Sequence, residues 1–252
     1  MRLKDRVAVV TGGGTGIGRA VSLLFAQEGA AVVVNYSRSR QDAEDVVREI
    51  EHAGGCAQAW QADVTREAEV KAMFADVESR WGRLDVLVNN AGWSTRVPHH
   101  KLEELTDEIW DRTLNTNLRG AFYCVRAAAP LLRRQPGGNI INVASAAAFH
   151  AAGSSIVYAA SKAAMVSMTK SLARALAPEI RVNAVCPGLV RTRFAAWPEE
   201  AFEQGTKVTP IRRLATVEEV AQAALFLATE ATAMTGEALI VDGGLYQLGR
   251  IR

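Results

Sequence analysis

Val7-Ala8-Val9-Val10-Thr11-Gly12-Gly13-Gly14-Thr15-Gly16-Ile17-Gly18 is the stretch that decides the fold. The β-branched run Val7–Thr11 reads as a strand buried on both faces. It stops at consecutive glycines, and Ile17–Glu28 then carries Ala20, Leu23, Leu24 and Ala26 at helical spacing. Strand, glycine turn and helix in this order can receive a dinucleotide. Glycine lets the backbone approach a pyrophosphate, and a helix N-terminus favours negative charge. The spacing is GxxxGxG through Gly12, Gly16 and Gly18, not GxGxxG. The same glycines also suit a plain tight turn that needs positive φ. The loop has no P-loop lysine, which sets ATP aside.

The alternation continues outward from this unit. Strands are expected at Ala31–Tyr36, Cys56–Ala62, Val86–Asn89, Asn139–Val143, Arg181–Cys186 and Leu239–Val241. Helices are expected at Gln41–Ala53, Glu67–Trp81, Asp107 to about Arg134, Ser155–Leu176 and Val217–Thr229. Pro130 is expected to kink or interrupt the long one. The segment 191–213 reads as irregular, with one helical stretch near Glu199–Lys207. Seven strands with helical, right-handed crossovers imply an α/β fold with a parallel sheet covered on both faces. No repeat or linker breaks the pattern, so residues 1–252 read as a single domain.

Composition narrows the function. A net charge of +2 gives no reason to propose nucleic acid or a membrane surface as a partner. The three cysteines, Cys56, Cys124 and Cys186, form no CxxC or Cys/His pattern. An odd count argues against a disulfide framework, and no metal site is expected. The apolar run near Met1–Val10 is too short for a signal-peptide core, and nothing approaches the roughly 18 apolar residues of a membrane helix. The expectation is a soluble, cytoplasmic protein.

A dinucleotide fold that prefers NAD usually has an acid at the end of its second strand, about 20 residues past the glycine loop. Here that place reads Asn35-Tyr36-Ser37-Arg38-Ser39-Arg40, and the first acid is Asp42. Arg38 can pair with a 2′-phosphate and Ser37 can donate to it, so NADP(H) is preferred, with NAD(H) possible.

Tyr158 and Lys162 stand four residues apart, one turn apart on one helix face. A free tyrosine, with pKa about 10, is a poor base at neutral pH. A nearby ammonium favours its phenolate. Tyr158 can then take a proton from an alcohol or give one to a carbonyl, and Lys162 can also bond the nicotinamide ribose. Alone, such a pair is more often an amphipathic surface.

The context changes this. The glycine loop Thr11–Gly18 is followed by Asp63-Val64, Asn89-Asn90-Ala91-Gly92, Asn117 in Asn117-Leu118-Arg119-Gly120, and Ser145, thirteen residues before Tyr158. Pro187-Gly188 and Thr192 come after the sixth strand. In these motifs the chain resembles the short-chain dehydrogenases/reductases over essentially its full length. The resemblance implies a Rossmann-like doubly wound sheet of order 3-2-1-4-5-6-7 and an NAD(P)-dependent oxidoreductase acting on a carbonyl or secondary alcohol.

It also implies roles. Gly12, Thr15, Gly16, Ile17 and Gly18 would hold the pyrophosphate, and Tyr36, Ser37 and Arg38 would flank the adenosine ribose. Asp63 would contact the adenine amino group, with Val64 lining that pocket. Asn90, Ala91 and Gly92 would lie along the cofactor. Pro187, Gly188, Val190 and Thr192 would contact its nicotinamide side. Ser145 would hydrogen-bond the substrate oxygen, and Asn117 would hold a water linking Lys162 to solvent. Homotetramers, packed through the helices around 107–134 and 155–177, are common in that family.

Two departures stand out. Thr15 occupies a place where many NADP-using relatives carry arginine. The turn Pro178-Glu179-Ile180 is one residue shorter than usual, which is expected to alter only a surface turn. The substrate-facing pieces are expected at Trp93–Val97, Ala146–Ser155 and Arg191–Arg213, with Trp93, Phe149, His150, Phe194 and Trp197 suggesting an apolar pocket. Val241-Asp242-Gly243-Gly244 looks like the family's usual ending. The chain looks most like the 3-oxoacyl-(acyl-carrier-protein) reductase branch, with Arg133, Arg134 and Arg174 offering a basic surface to an acyl carrier protein. A sugar, polyol or other secondary-alcohol dehydrogenase fits the same motifs. A nucleotide-binding regulator without catalysis is the remaining alternative.

Overall fold

The computed structural model describes residues 1–250. Its strands are β1 (Val7–Val10), β2 (Ala31–Tyr36), β3 (Cys56–Gln61), β4 (Val86–Asn89), β5 (Gly138–Val143), β6 (Ile180–Pro187) and β7 (Ala238–Val241). They form one sheet of order β3-β2-β1-β4-β5-β6-β7, with every neighbouring pair parallel. This is the expected order, and the strand ends agree with the expected ones to within two residues.

Successive strand residues point to opposite faces of a sheet. The β-branched runs therefore feed two cores at once. Ala8 and Val10, Val32 and Val34, and Val86 and Val88 lie in one. Val7 and Val9, Val33, and Leu87 lie in the other. Helices α1 (Gly16–Gln27) and α2 (Arg40–His52) cover the first face through Val21, Phe25, Val46 and Ile50. Helices α3 (Glu67–Trp81), α4 (Asp107–Leu114) and α5 (Gly120–Leu132) follow in the chain. The opposite core takes Val70 and Met73 from α3 and Cys124 and Ala128 from α5.

Pro130 does not interrupt this last helix, which continues to Leu132. The break in the long helical region falls earlier, in a wide π-type turn over Asn115–Arg119. Further on lie the short α6 (Ala147–His150), the long α7 (Ile156–Leu176), α8 (Glu199–Val208), α9 (Val217–Ala228) and α10 (Leu245–Leu248). A reciprocal capping box starts α9, with Thr216 accepting from the Glu219 N–H at 3.2 Å and Glu219 from the Thr216 N–H at 2.9 Å. Pro178 and Glu179 form an exposed turn before β6. Among the described residues, no helix is long and apolar enough to cross a membrane.

The two edges of a parallel sheet differ. At the edge where the strands begin, Asp85 is buried and accepts from the Val7 N–H at 2.9 Å and from Arg83 Nε and Nη2 at 2.9 and 2.8 Å. At the other edge, the strand ends lead into the glycine loop, Asp63, Asn90, Ser145, Pro187 and Asp242. Ligands of open α/β sheets bind at this edge.

Asp85→Ala would leave the Val7 N–H and the Arg83 guanidinium without their buried acceptor. The expected loss is about 2–4 kcal/mol of stability, read from the urea midpoint at unchanged slope. A change below about 0.5 kcal/mol, the size typical of surface substitutions, would show that this carboxylate does not hold β1 to β4.

Candidate active site

The glycine loop is pinned from both sides. Asn35, buried at the end of β2, accepts from the Gly12 N–H at 3.3 Å, and its backbone carbonyl accepts from Gly13 at 2.9 Å. Just past β4, Asn90 Nδ2 donates to the Thr11 and Gly12 carbonyls at 2.9 and 3.0 Å. Thr11 Oγ1 accepts from the N–H groups of Asn90 and Ala91, both at 3.0 Å. Gly12 and Gly16 have φ of +60° and +52°, a region that glycine enters without strain. Gly18 has a different use. A Cβ there would lie 2.2 Å from the Gly12 carbonyl oxygen and 2.4 Å from Asn90 Nδ2. Its missing side chain lets α1 pack against the loop.

The N-terminus of α1 has no side-chain cap from Thr15 and no acid in its first turn. Its N–H groups and positive dipole end are thus available to an anion. This end opens on a cleft of about 960 Å³. Gly12, Thr15, Gly16, Ile17, Asn90, Ala91, Gly92, Pro187, Gly188, Val190 and Thr192 line it, and so do Ser145, Tyr158 and Lys162. An uncapped helix end at one side of the cleft and a tyrosine–lysine pair at the other fit an elongated, anionic cofactor.

The other expected residues lie outside this lining. Gly18 packs as described. Tyr36 sits in the core between the sheet and α1 and α2. Ser37 and Arg38 are exposed on the turn after β2. Asp63 is half-buried and accepts from the Thr65 N–H at 2.9 Å and hydroxyl at 2.8 Å. Val64 is buried against Gly120, where a Cβ would come within 2.8 Å of Val64 Cγ2. Asn117, buried in the π-type turn, accepts from the Trp93 N–H at 2.7 Å and donates to Trp93 O at 3.1 Å and to Ser161 Oγ at 3.0 Å. It fixes the chain leaving β4 onto α7.

Ser155 caps α7 by accepting from the Tyr158 N–H at 3.2 Å, which sets where the phenol leaves the helix. The phenol ring lies 5.7 Å from that of Phe194. Burial pushes the Tyr158 hydroxyl up to about 12, opposed by its hydrogen bond with Ser145. Lys162 is 4% exposed, and burial pulls its amine down to about 8. Its Nζ donates to Val143 O at 2.7 Å and lies 5.8 Å from the centre of the Tyr158 ring. Ser145 Oγ accepts from the Ala147 N–H at 3.1 Å and donates to Pro187 O at 3.4 Å. A protonated phenol, a hydroxyl and an amine thus meet at one wall. Together they can give a proton to a carbonyl oxygen and hold that oxygen.

Sequence reasoning missed much of the cleft's far side. Asp242, Leu245, Tyr246, Gly249 and Arg250 line it, as do Ser39 and Asp42. The one available signal was Asp242-Gly243-Gly244, an acid before two glycines with φ of +70° and +88° that turn the chain back over the cleft. Asp42 is paired with Arg193 at 2.8 Å, a link between α2 and the segment after β6. Among the described residues, no group of three or more His, Cys, Asp or Glu could hold a metal ion.

Comparison with known proteins bears on this geometry. Residues 12–246 match the family model described as enoyl-(acyl carrier protein) reductase. A 3-oxoacyl-(acyl-carrier-protein) reductase of Thermotoga maritima is 39% identical over 248 residues, covering 97% of this chain and 99% of that protein. An NAD-dependent glycerol dehydrogenase of Listeria innocua is 38% identical, covering 96% and 94%. The solved structure of a 7α-hydroxysteroid dehydrogenase with NADH and 7-oxo glycochenodeoxycholic acid superposes with a TM-score of 0.89 at 34% identity, covering 96% of this chain and 95% of that one.

Gly18→Ala would drive a methyl group into the Gly12 carbonyl. We expect a loss of about 1–3 kcal/mol in stability together with weaker nicotinamide-cofactor binding, measured by thermal unfolding and fluorescence titration. Wild-type values for both would show that α1 can move away from the loop freely.

Proposed function

The chain belongs to the short-chain dehydrogenase/reductase family, and on that footing we propose that it is a single catalytic domain, residues 1–252, reducing ketones of the 3-oxoacyl-thioester type. The observation that carries this is the Tyr158 phenol, held in its protonated form beside Ser145 and Lys162 in the cleft that begins at the glycine loop. The similarity to 3-oxoacyl reductases supports the substrate class. The glycerol dehydrogenase supports a second reading, a polyol or other secondary-alcohol dehydrogenase.

When bound, the nicotinamide cofactor supplies or accepts the hydride. The uncapped end of α1, with Gly12, Thr15, Gly16 and Ile17, holds its pyrophosphate. Asp63 and Val64 serve the adenine. Asn90, Ala91 and Gly92 lie along it, and Pro187, Gly188, Val190 and Thr192 take the nicotinamide end. Ser145 donates to the substrate oxygen, and Tyr158 gives that oxygen its proton. The Lys162 ammonium lowers the energy of the phenolate left behind and bonds the ribose. Asn117 positions Trp93 and α7, and its remaining acceptor capacity would hold the water of a relay from Lys162.

NADP(H) is the proposed cofactor, with NAD(H) usable. Arg38 is exposed beside Ser37, and the first acid, Asp42, is already neutralised by Arg193. A homotetramer is supported by the part-exposed Trp110 and Phe122 on α4 and α5. Arg133 and Arg174, both exposed, suit an acidic carrier protein, while Arg134 pairs with Glu78. We place the protein in the cytoplasm.

Acetoacetyl thioester should be reduced with NADPH, and Tyr158→Phe should lower kcat by about 10²–10⁴-fold. No thioester turnover with either cofactor would remove the acyl reading. Near wild-type turnover by the variant would remove Tyr158 as the acid.

The pH dependence follows from the same groups. Tyr158, raised to about 12, stays protonated near neutrality, so reduction is level there. Lys162, lowered to about 8, loses its charge first on the alkaline side. Reduction should therefore fall as pH rises through about 8, below the ordinary lysine value of 10.5. A kcat/KM profile that stays level up to that ordinary value would take the ammonium out of the mechanism.

Arg38→Ala should raise KM for NADPH about 10–100-fold, the scale of a charge-assisted hydrogen bond, and leave KM for NADH near its wild-type value. Equal effects on both cofactors would overturn the 2′-phosphate assignment.

A further inference from the structure

One polar cluster in the cleft takes no part in the chemistry given to Tyr158. His150 ends α6, and Ala151 after it has φ of 53°, turning the chain sharply. The imidazole is 26% exposed, and its Nε2 lies 3.9 Å from Asp242 Oδ2. That distance allows attraction but is too long for a direct hydrogen bond. The ring meets Tyr246 edge-on, at 5.3 Å and 89°. Phe149 packs on Tyr246 at 5.2 Å.

Asp242 is itself held rigidly. Its Oδ1 accepts from the Gly244 N–H at 2.8 Å and its Oδ2 from the Tyr246 N–H at 2.7 Å. Gly188 backs closely onto it, since a Cβ there would lie 2.8 Å from Asp242 Cβ. Among the described residues, no protein group hydrogen-bonds either ring nitrogen of His150. The cleft that His150 lines also includes apolar Ala144, Ala147, Leu189 and Leu245. A ligand that fills this space and offers the ring no partner must strip it of water without return.

We propose that His150 is a specificity-determining residue that hydrogen-bonds a second oxygen of the substrate, separate from the oxygen that is reduced. Asp242 and Tyr246 are positioning residues for it. The nearby carboxylate favours the tautomer with its proton on Nε2, and at 3.9 Å that N–H closes no hydrogen bond to Asp242 and stays free to donate to a substrate oxygen. The favoured substrates are ketones with a second oxygen function, and plain alkyl ketones are disfavoured. This rests on the reading of the cleft as a ketone reductase site.

The test compares ethyl acetoacetate with 2-hexanone. Turnover of each is measured with NADPH. Binding of each to the protein loaded with NADP⁺ is measured by calorimetry, which needs no turnover. Wild type should favour ethyl acetoacetate in both measurements. His150→Leu should collapse that preference about tenfold, the effect of roughly one neutral hydrogen bond, mainly through KM. His150→Gln, which keeps a donor and an acceptor, should restore most of it, and Asp242→Asn should weaken it.

A preference unchanged in His150→Leu, or not restored by His150→Gln, overturns the proposal and leaves His150 as a wall residue. If wild type turns over neither ketone, the reductase reading fails. The calorimetric preference still decides the role of His150.

Discussion

Asn90 spans the place where the chain's two directions of winding part. β1 and β4 are neighbours in the sheet, yet β1 leads into α1 on one face, while α5, downstream of β4, covers the other. Two connections that leave adjacent strands in opposite directions open a crevice between them. The Asn90 carboxamide, bonded to two carbonyls of the glycine loop, stops that crevice from collapsing or widening. Thr11 completes the tie from the other side. The loop can therefore leave the first N–H groups of α1 without internal partners, because its shape is fixed by bonds elsewhere. Preorganisation of this kind means that an anion need not pay the entropy of ordering the loop.

The chemistry at the other end of the crevice rests on opposed tendencies. Burial favours the neutral form of both Tyr158 and Lys162. It keeps the phenol protonated, which suits an acid, and it weakens the hold of the amine on its proton. On the phenol, the hydrogen bond with Ser145 acts against that burial. The site thus stores a proton on an oxygen that can release it when charge develops on a nearby substrate.

Most of the sheet was legible because strands buried on both faces are dominated by apolar residues. Val7–Val10, Val32–Val34 and Val86–Val88 leave little room for another reading. The long helical region was harder. Pro130 carries the conspicuous signal, yet its helix runs on, and the real irregularity lies at Asn115–Arg119. Nothing in hydropathy marks a π-type turn, which is fixed by tertiary bonds from Asn117 to Trp93 and Ser161. Short α6 and α10 escaped because four residues are too few for a period to show. In the site, spacing and order singled out the motif residues, and the fold gathers most of them along one cleft, while Gly18, Tyr36, Ser37, Arg38, Asp63, Val64 and Asn117 lie outside its lining. His150 and Asp242 come together from strand ends far apart in sequence, and only the sheet order brings them near.

The sheet's two edges have divided the work between them. The Asp85 cluster ties the strands where they begin, a full strand length from the cleft. Evolution or an engineer can therefore rewrite the loops at one rim for new molecules while the anchoring at the opposite rim stays untouched. The molecule is in this sense a chassis with an interchangeable head.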